Sequence, residues 1–189
     1  MTIAELTAPA TEPLTLDEAK AHLRIDLDAE DELIAGLIAA ARAHLENETG
    51  LALMARTFRL YRDDWPASGI VEIGRWPVTA IEAVTVYDGD GVAIAPALGA
   101  ARLDGQARPA RLFLPERPLP GVEVNGIEID FTAGFGETGA DVPDVLKRAM
   151  LTHVAAMHAV RGAVAPGDQP AVVPAGYRRL IGAYRRVGL

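Results

Sequence analysis

The spacing of apolar residues changes twice along the chain, and this change limits the folds that the sequence can adopt. Between residues 29 and 48, apolar side chains recur at helical spacing. Between residues 56 and 132 they occur in short alternating runs, at 57–61, 84–87 and 127–131. Helical spacing then returns from 143 to 161. Since helices repeat about every 3.6 residues and half-buried strands every 2, the pattern predicts an α+β chain with a small antiparallel sheet or sandwich inserted between helices.

Local signals predict where these elements begin and end. Thr15 to Glu18 form a capping box, which begins a helix predicted over 16–25. A second helix is predicted over 29–48, and a third over 143–161 with a proline in its first turn. Asp88-Gly89-Asp90-Gly91 is typical of a hairpin turn. Asn125-Gly126 fits either a hairpin turn or a bulge within one strand, and the sequence leaves both open.

The two ends of the chain differ in composition from the predicted body, residues 14–162. Residues 1–13 are rich in Thr, Pro, Ala and Glu and are predicted to be loose. Residues 163–176 contain three prolines and are predicted to be a linker. Residues 177–189 are predicted to form a short basic amphipathic helix. Because so short a helix is unstable alone in water, we expect this arm to take its shape by binding another protein.

Composition excludes several functions. The chain has 189 residues, a net charge of −8 and no cysteine. It therefore has no disulfides and no thiolate chemistry, and its acidity argues against general nucleic-acid binding. No run approaches the roughly 20 apolar residues of a membrane-spanning helix. The N-terminus lacks the features of a secretory signal.

The sequence offers weak candidates for chemistry. Gly134 to Gly139 match G-x-G-x-x-G, but no second strand follows to complete a dinucleotide-binding unit. His153 and His158 lie on different faces of one predicted helix, so we expect His153 to be packed rather than to bind metal. Trp65 and Trp76 could form a platform for a sugar, although anchors at strand ends are the simpler interpretation. The sequence predicts no catalytic residue, no cofactor and no metal site; a small nucleotide- or sugar-binding domain remains the alternative.

Several segments resemble one known family in order and spacing. They are Leu14–Asp26, Asp31–Ile34, Trp76–Val78, Val84–Asp88, Phe131–Gly136, Val142–Ala149 and the Tyr184-Arg185-Arg186 tail. Together they resemble the head–tail connector (adaptor) proteins of long-tailed bacteriophages and gene transfer agents. The end of the third helix departs from the family pattern at Ala159–Gly162.

The resemblance implies a structural, non-enzymatic role at the head–tail interface of a particle assembled in a bacterial cytoplasm. It implies a ring of twelve copies under the portal, above a stopper or tail-completion protein. DNA would pass through the central channel without specific binding, and no membrane would be involved. It also implies that the C-terminal arm reaches the portal. The residues expected to bind the portal are Tyr177, Arg178, Arg179, Leu180, Ile181, Tyr184, Arg185 and Arg186.

Overall fold

The computed structural model describes residues 2–161 and 173–185. The chain forms two compact units. The sheet unit contains the residues up to Pro9 together with Ala55–Phe135, and the helical unit contains Ala10–Met54 together with the described residues from Gly136 onward. The α+β fold predicted from the apolar spacing is therefore confirmed.

The sheet unit contains two antiparallel sheets. Its strands are β1 (Thr2–Glu5), β2 (Arg56–Arg62), β3 (Ile70–Ile73), β4 (Val78–Tyr87), β5 (Ala93–Ile94), β6 (Arg102–Asp104), β7 (Ala110–Phe113) and β8 (Ile127–Ala133). Five of them form one sheet in the order β1-β2-β8-β4-β5, and three form a second sheet in the order β3-β7-β6. β4 carries two irregularities in its pairing with β8, between Val78 and Ala80 and between Ile81 and Ala83.

Alternation along the strands builds the core of the sheet unit. In β2 and β8 every second side chain is buried, including Phe58 and Phe131, whose rings stack with centroids 5.6 Å apart. In the smaller sheet, Val71 and Leu112 are cross-strand partners and are both buried. Apolar side chains at alternate positions place one face of each sheet in the core, as the two-residue repeat requires.

The N-terminal prediction was wrong. Residues Thr2–Glu5 are not loose: they form β1, an edge strand paired along its length with β2. Glu5 accepts a hydrogen bond from the guanidinium of Arg56 at 3.0 Å, and Arg56 is itself buried in β2. A charge-assisted pair at the end of a short strand adds to the backbone ladder and orders a segment whose composition alone favours disorder.

The helical unit contains α1 (Leu16–Leu23), α2 (Asp31–Thr49), α3 (Asp144–Ala159) and α4 (Tyr177–Ile181). Thr15 and Glu18 form the predicted capping box of α1. The apolar stripe of α2, including Ile34, Leu37, Ile38, Ala41 and Leu45, is buried together with that of α3. The first three helices start and end within about two residues of their predicted bounds, because caps and a left-handed Gly50 mark the ends.

A buried ion pair links α2 to the chain on either side of it. Glu46 is 2% exposed. Its carboxylate accepts from the backbone N–H of Leu53 at 2.8 Å and from the guanidinium of Arg42 at 3.1 Å. Arg42 also forms a two-pronged pair with Glu12, at 2.7 and 3.2 Å. These contacts fix the segments before α1 and after α2 against the same helix.

Of the two predicted turns, one is confirmed and the other is not. Asp88 accepts from the N–H groups of Asp90 and Val92, and Gly91 has a φ of +75°, so the hairpin turn is confirmed. Asn125-Gly126 is neither a hairpin turn nor a bulge. It precedes β8, with Asn125 in the left-handed region and its N–H donating to Asp63. Within residues 2–161 and 173–185, no helix has the length and apolar content needed to span a membrane.

Candidate functional site: the C-terminal segment

The C-terminal segment, residues 173–185, is held in the helical unit. Its short helix α4 is preceded by a turn in which the N–H of Tyr177 donates to the carbonyl of Pro174 at 3.0 Å. The helix continues into a 3₁₀ turn, Gly182–Tyr184. The segment carries three arginines and no acid, so its exposed surface is basic.

Two apolar side chains fix α4 in place. Tyr177 and Ile181 are four residues apart, which puts them on one face of the helix, and both are fully buried. The ring of Tyr177 contacts His44 of α2 and His153 of α3, with centroids 5.7 and 5.4 Å away. The two histidine rings also meet, at 4.8 Å. Three aromatic rings from three helices therefore form the seat of the segment.

The hydroxyl group of Tyr177 is buried with the ring. Among the described residues it has no hydrogen-bond partner. Loss of hydration, and secondarily the nearby charge of Glu48, raises the pKa of this phenol above its ordinary value. An unpaired buried hydroxyl opposes the docking of α4 by roughly 1–3 kcal/mol, which the burial of the aromatic ring and Ile181 outweighs.

The arginines of the segment face outward. Arg178 and Arg179 are exposed. Arg185 is also exposed and forms an ion pair with Glu48 of α2 at 3.2 Å. Beside the seat lies an open cavity of about 300 Å³, lined by His44, Asn47, Glu48, Val173 and Arg178. The segment thus places one arginine, Arg178, at a small depression in the helical unit, and Arg179 and Arg185 are exposed elsewhere on it.

These positions correct one prediction about the arm. The sequence predicted that its apolar face has no home on its own subunit; instead, Tyr177 and Ile181 are buried in the helical unit. A short helix is unstable alone in water, but this one is stabilised by the aromatic pocket that α2 and α3 provide. Leu180 and Tyr184 are half-buried. Arg186, the remaining predicted portal-binding residue, and most of the predicted linker lie outside the described residues.

In the glycine-rich loop, Gly134 to Gly139, hydrogen-bond donors are paired with an acid of the adjoining turn. Asp141 accepts from the backbone N–H and from the hydroxyl of Thr138, at 3.0 and 2.9 Å. These contacts lower the pKa of the Asp141 carboxyl, so it is charged at neutral pH. A carboxylate therefore occupies donors that a phosphate would need, and the loop acts as a cap for the short turn Gly139–Asp141.

The two tryptophans are anchored rather than open platforms. The indole N–H of Trp65 donates to the carbonyl of Pro118 at 2.7 Å, and that of Trp76 to the carbonyl of Gln106 at 3.0 Å. The guanidinium of Arg108 covers one face of Trp76, 3.7 Å from the ring centroid. Both side chains are half-buried. The geometry therefore favours strand-end anchors over a sugar-binding platform.

The histidines also have structural surroundings. His153 is fully buried against the rings of His44 and Tyr177, as expected for a packed residue. His158 contacts Glu30 at 2.7 Å. In the described parts of the chain, no group of three or more His, Cys, Asp and Glu side chains is placed to hold a metal ion.

Sequence reasoning missed the partners of the C-terminal segment. His44, His153 and Glu48 lie on helices predicted correctly, but nothing in their spacing indicates which distant segment they contact. One signal was available: the apolar stripe of α3 includes His153, and a histidine in an apolar stripe calls for an aromatic or polar neighbour from elsewhere in the chain.

The best-defined site among the described residues is a basic surface segment, a feature of the class of proteins that contact other molecules through charged surfaces. Comparisons with known proteins define that class more closely. A profile described as "Phage gp6-like head-tail connector protein" matches residues 13–88. No curated protein sequence matches the chain significantly.

Three similar chains occur in solved structures of gene transfer agent (GTA) particles. A chain of "Neck of empty GTA particle computed with C6 symmetry" is 31% identical, with a TM-score of 0.83. Chains of "Virion of native gene transfer agent (GTA) particle" and "Neck of native GTA particle computed with C12 symmetry" are 29% and 30% identical, with TM-scores of 0.82 and 0.73. Each comparison covers 100% of this chain and 97% of the other.

This chain belongs to the phage gp6-like head–tail connector family. Its role is that of a structural connector, and the resemblance seen in the sequence is confirmed.

Proposed function

We propose that this chain forms a ring of twelve copies between the portal and a stopper or tail-completion protein of a phage or gene transfer agent particle. The observation that carries the proposal is the full-length similarity, at 31% identity, to a chain of a GTA neck. Particle necks were computed with C6 and C12 symmetry for the similar chains, and both are compatible with twelve subunits in a closed ring.

The C-terminal segment is the proposed contact with the portal. Its exposed arginines, Arg178 and Arg179, are the residues best placed to pair with acidic side chains or backbone carbonyls of a partner. Leu180 and Tyr184, which are half-buried, add apolar area beside them. Tyr177 and Ile181 take a different part from the one first expected: they hold the segment on its own unit and so position the arginines. Each contact is weak alone, but a ring repeats it and raises the total affinity.

DNA is the proposed passenger of the channel, without specific binding. The chain carries a net charge of −8. Binding to duplex DNA depends on clustered cationic side chains that displace counterions from phosphate groups. A ring of net acidic subunits is expected to bind DNA weakly, so that DNA can pass through the channel without being retained.

The ring is tested with the full-length chain and the purified portal of the same particle. We expect negative-stain images of the mixture to show a twelve-fold ring on one face of the portal, and light scattering to give a matching mass. Portals that remain bare at saturating chain concentration would contradict the proposal.

The portal contact is tested by charge reversal. The double variant Arg178→Glu, Arg179→Glu is expected to lower the affinity for portals at least tenfold. The matched control is Arg148→Glu, since Arg148 is an exposed arginine of α3 in the same unit. If the double variant bound portals as tightly as Arg148→Glu does, the segment would not be part of the portal interface. The ring proposal would be unaffected by that result.

A further inference from the structure

Three loops of the sheet unit are tied together at one end. They connect β2 to β3, β4 to β5, and β7 to β8. The N–H of Asn125 donates to Asp63 at 2.9 Å, the indole of Trp65 to the carbonyl of Pro118 at 2.7 Å, and the N–H of Gly121 to the carbonyl of Tyr87 at 2.8 Å. These cross-loop bonds define one preformed surface.

This surface exposes aliphatic side chains. Leu119 is 82% exposed and Val124 is 69% exposed, both in the β7–β8 loop. Val92, at the end of the β4–β5 turn, is 59% exposed, and Ile94 on the edge strand β5 is 39% exposed. Ordered loops that expose several aliphatic side chains to water are typical of an interaction site. Burial of those side chains is favourable, and loops that are already ordered lose little conformational entropy on binding.

The charges around these side chains are almost all negative. We call the surface formed by residues 63–65, 88–94 and 115–126 the acidic apolar end. It contains one arginine, Arg117, and the half-buried Arg62 borders it, with its Nε–H donating to the carbonyl of Asp64 at 3.1 Å. Its acids are Asp63, Asp64, Asp88, Asp90, Glu116 and Glu123, and all but the half-buried Asp88 are exposed.

The charge decides which occupant fits. Phosphate groups would be repelled, so the acidic apolar end does not suit DNA. A portal surface that binds Arg178 and Arg179 would itself be acidic or rich in carbonyl groups. If that portal surface is acidic, the acidic apolar end would repel it. The complementary surface has apolar side chains surrounded by Lys and Arg, because such a surface gains both burial and favourable Coulomb energy.

We propose that the acidic apolar end is the docking surface for the protein on the tail side of the connector, through a contact face of apolar side chains rimmed by Lys and Arg. The inference rests on the proposed function for the existence of that partner. The chain then carries two contact surfaces of opposite charge, the basic C-terminal segment for the portal and this end for the next protein. Opposite charge keeps each partner from binding at the other's surface.

The test measures binding of the full-length chain to the purified stopper or tail-completion protein of the same particle. Leu119→Asp and Val124→Asp are expected to weaken binding at least tenfold. The control is Leu27→Asp, since Leu27 is 74% exposed but lies in the helical unit. The pair Glu116→Lys, Glu123→Lys is expected to weaken binding most at low salt, because screening already reduces the attraction at high salt.

A portal-binding assay and light scattering on the same variants separate the outcomes. Normal attachment to portals with lost binding of the tail-side protein supports the inference. Unchanged binding of that protein by Leu119→Asp and Val124→Asp overturns it, as does loss of the ring itself in these variants, which would make a second copy the occupant. Failure of the unmodified chain to attach to portals would instead count against the proposed function.

Discussion

The ring of Tyr177 packs against the fully buried ring of His153, with centroids 5.4 Å apart and the planes inclined by 62°. This contact joins a five-residue helix near the C-terminus to the middle of α3. Since α4 is far too short to be stable by itself, its position depends on the side chains that it buries. The energetics of Tyr177 therefore determine where the arginines of the segment are presented.

Truncation of Tyr177 should undock the segment, whereas removal of its hydroxyl should not. We expect Tyr177→Ala to lower the free energy of unfolding of the helical unit by about 3–5 kcal/mol, the usual loss for a buried aromatic ring. Tyr177→Phe keeps the ring and removes a buried hydroxyl that has no partner among the described residues, so it should be neutral or stabilising. Urea unfolding followed by circular dichroism checks both. A large loss in the Phe variant would show that the hydroxyl is hydrogen-bonded after all.

The buried carboxylate of Glu46 should matter more than any exposed acid of α2. Glu46→Ala leaves the N–H of Leu53 without its acceptor and removes one partner of Arg42, so we expect a loss of about 3–5 kcal/mol. Glu46→Gln keeps an acceptor for Leu53 and should lose less. Glu32→Gln, at an exposed position of the same helix, is the control and should change the free energy of unfolding by less than about 0.5 kcal/mol. Similar losses in the Glu46 and Glu32 variants would contradict the importance of the pair.

Local chemistry made the helices predictable. The capping box at Thr15, the proline before α3 and Gly50 after α2 are signals that act within a few residues, and the structure has elements at each of them. The alternation of apolar and polar residues in β2 and β8 also predicted strands, since both strands bury every second side chain.

Long-range contacts were not predictable in the same way. β1 is ordered by an Arg56–Glu5 pair that joins positions 51 residues apart, and α4 by two histidines from separate helices. Neither partner is marked in the local sequence. The acidic apolar end was missed for the same reason, because its loops are joined by side chain and backbone bonds between three distant segments.

Acid should destabilise the helical unit partly through Glu18. A hydrogen bond from Lys147 at 2.7 Å holds the pKa of this carboxyl below its ordinary value, with a further contribution from the backbone of Thr15. A group whose pKa is depressed in the folded state contributes stability above its unfolded pKa of about 4.3, and that contribution is lost as the pH falls through the folded pKa. The effect is modest because Glu18 is 40% exposed.

Lys147→Met isolates this contribution. We expect the variant to be less stable than the unmodified chain at pH 7 and to lose less stability between about pH 5 and pH 3, so that the two unfolding free energies converge in acid. Urea unfolding at several pH values measures the difference. If the unfolding free energies of the two proteins differed by the same amount at every pH, the Lys147–Glu18 contact would not contribute to the pH dependence of stability.

The close approach of the β7–β8 loop to the β4–β5 turn should tolerate no side chain at Gly121. A Cβ built there would lie 2.1 Å from the backbone nitrogen of Gly89, and backbone cannot move aside as a side chain does. We therefore expect Gly121→Ala to cost about 1–3 kcal/mol and to increase amide exchange at Gly121 and Tyr87. Gly89→Ala alters the other side of the same contact but meets nothing within 4 Å, so it should leave stability and exchange nearly unchanged. If both variants behaved alike, the loops would not be locked together, and the acidic apolar end would lose the preformed geometry on which its proposed role depends.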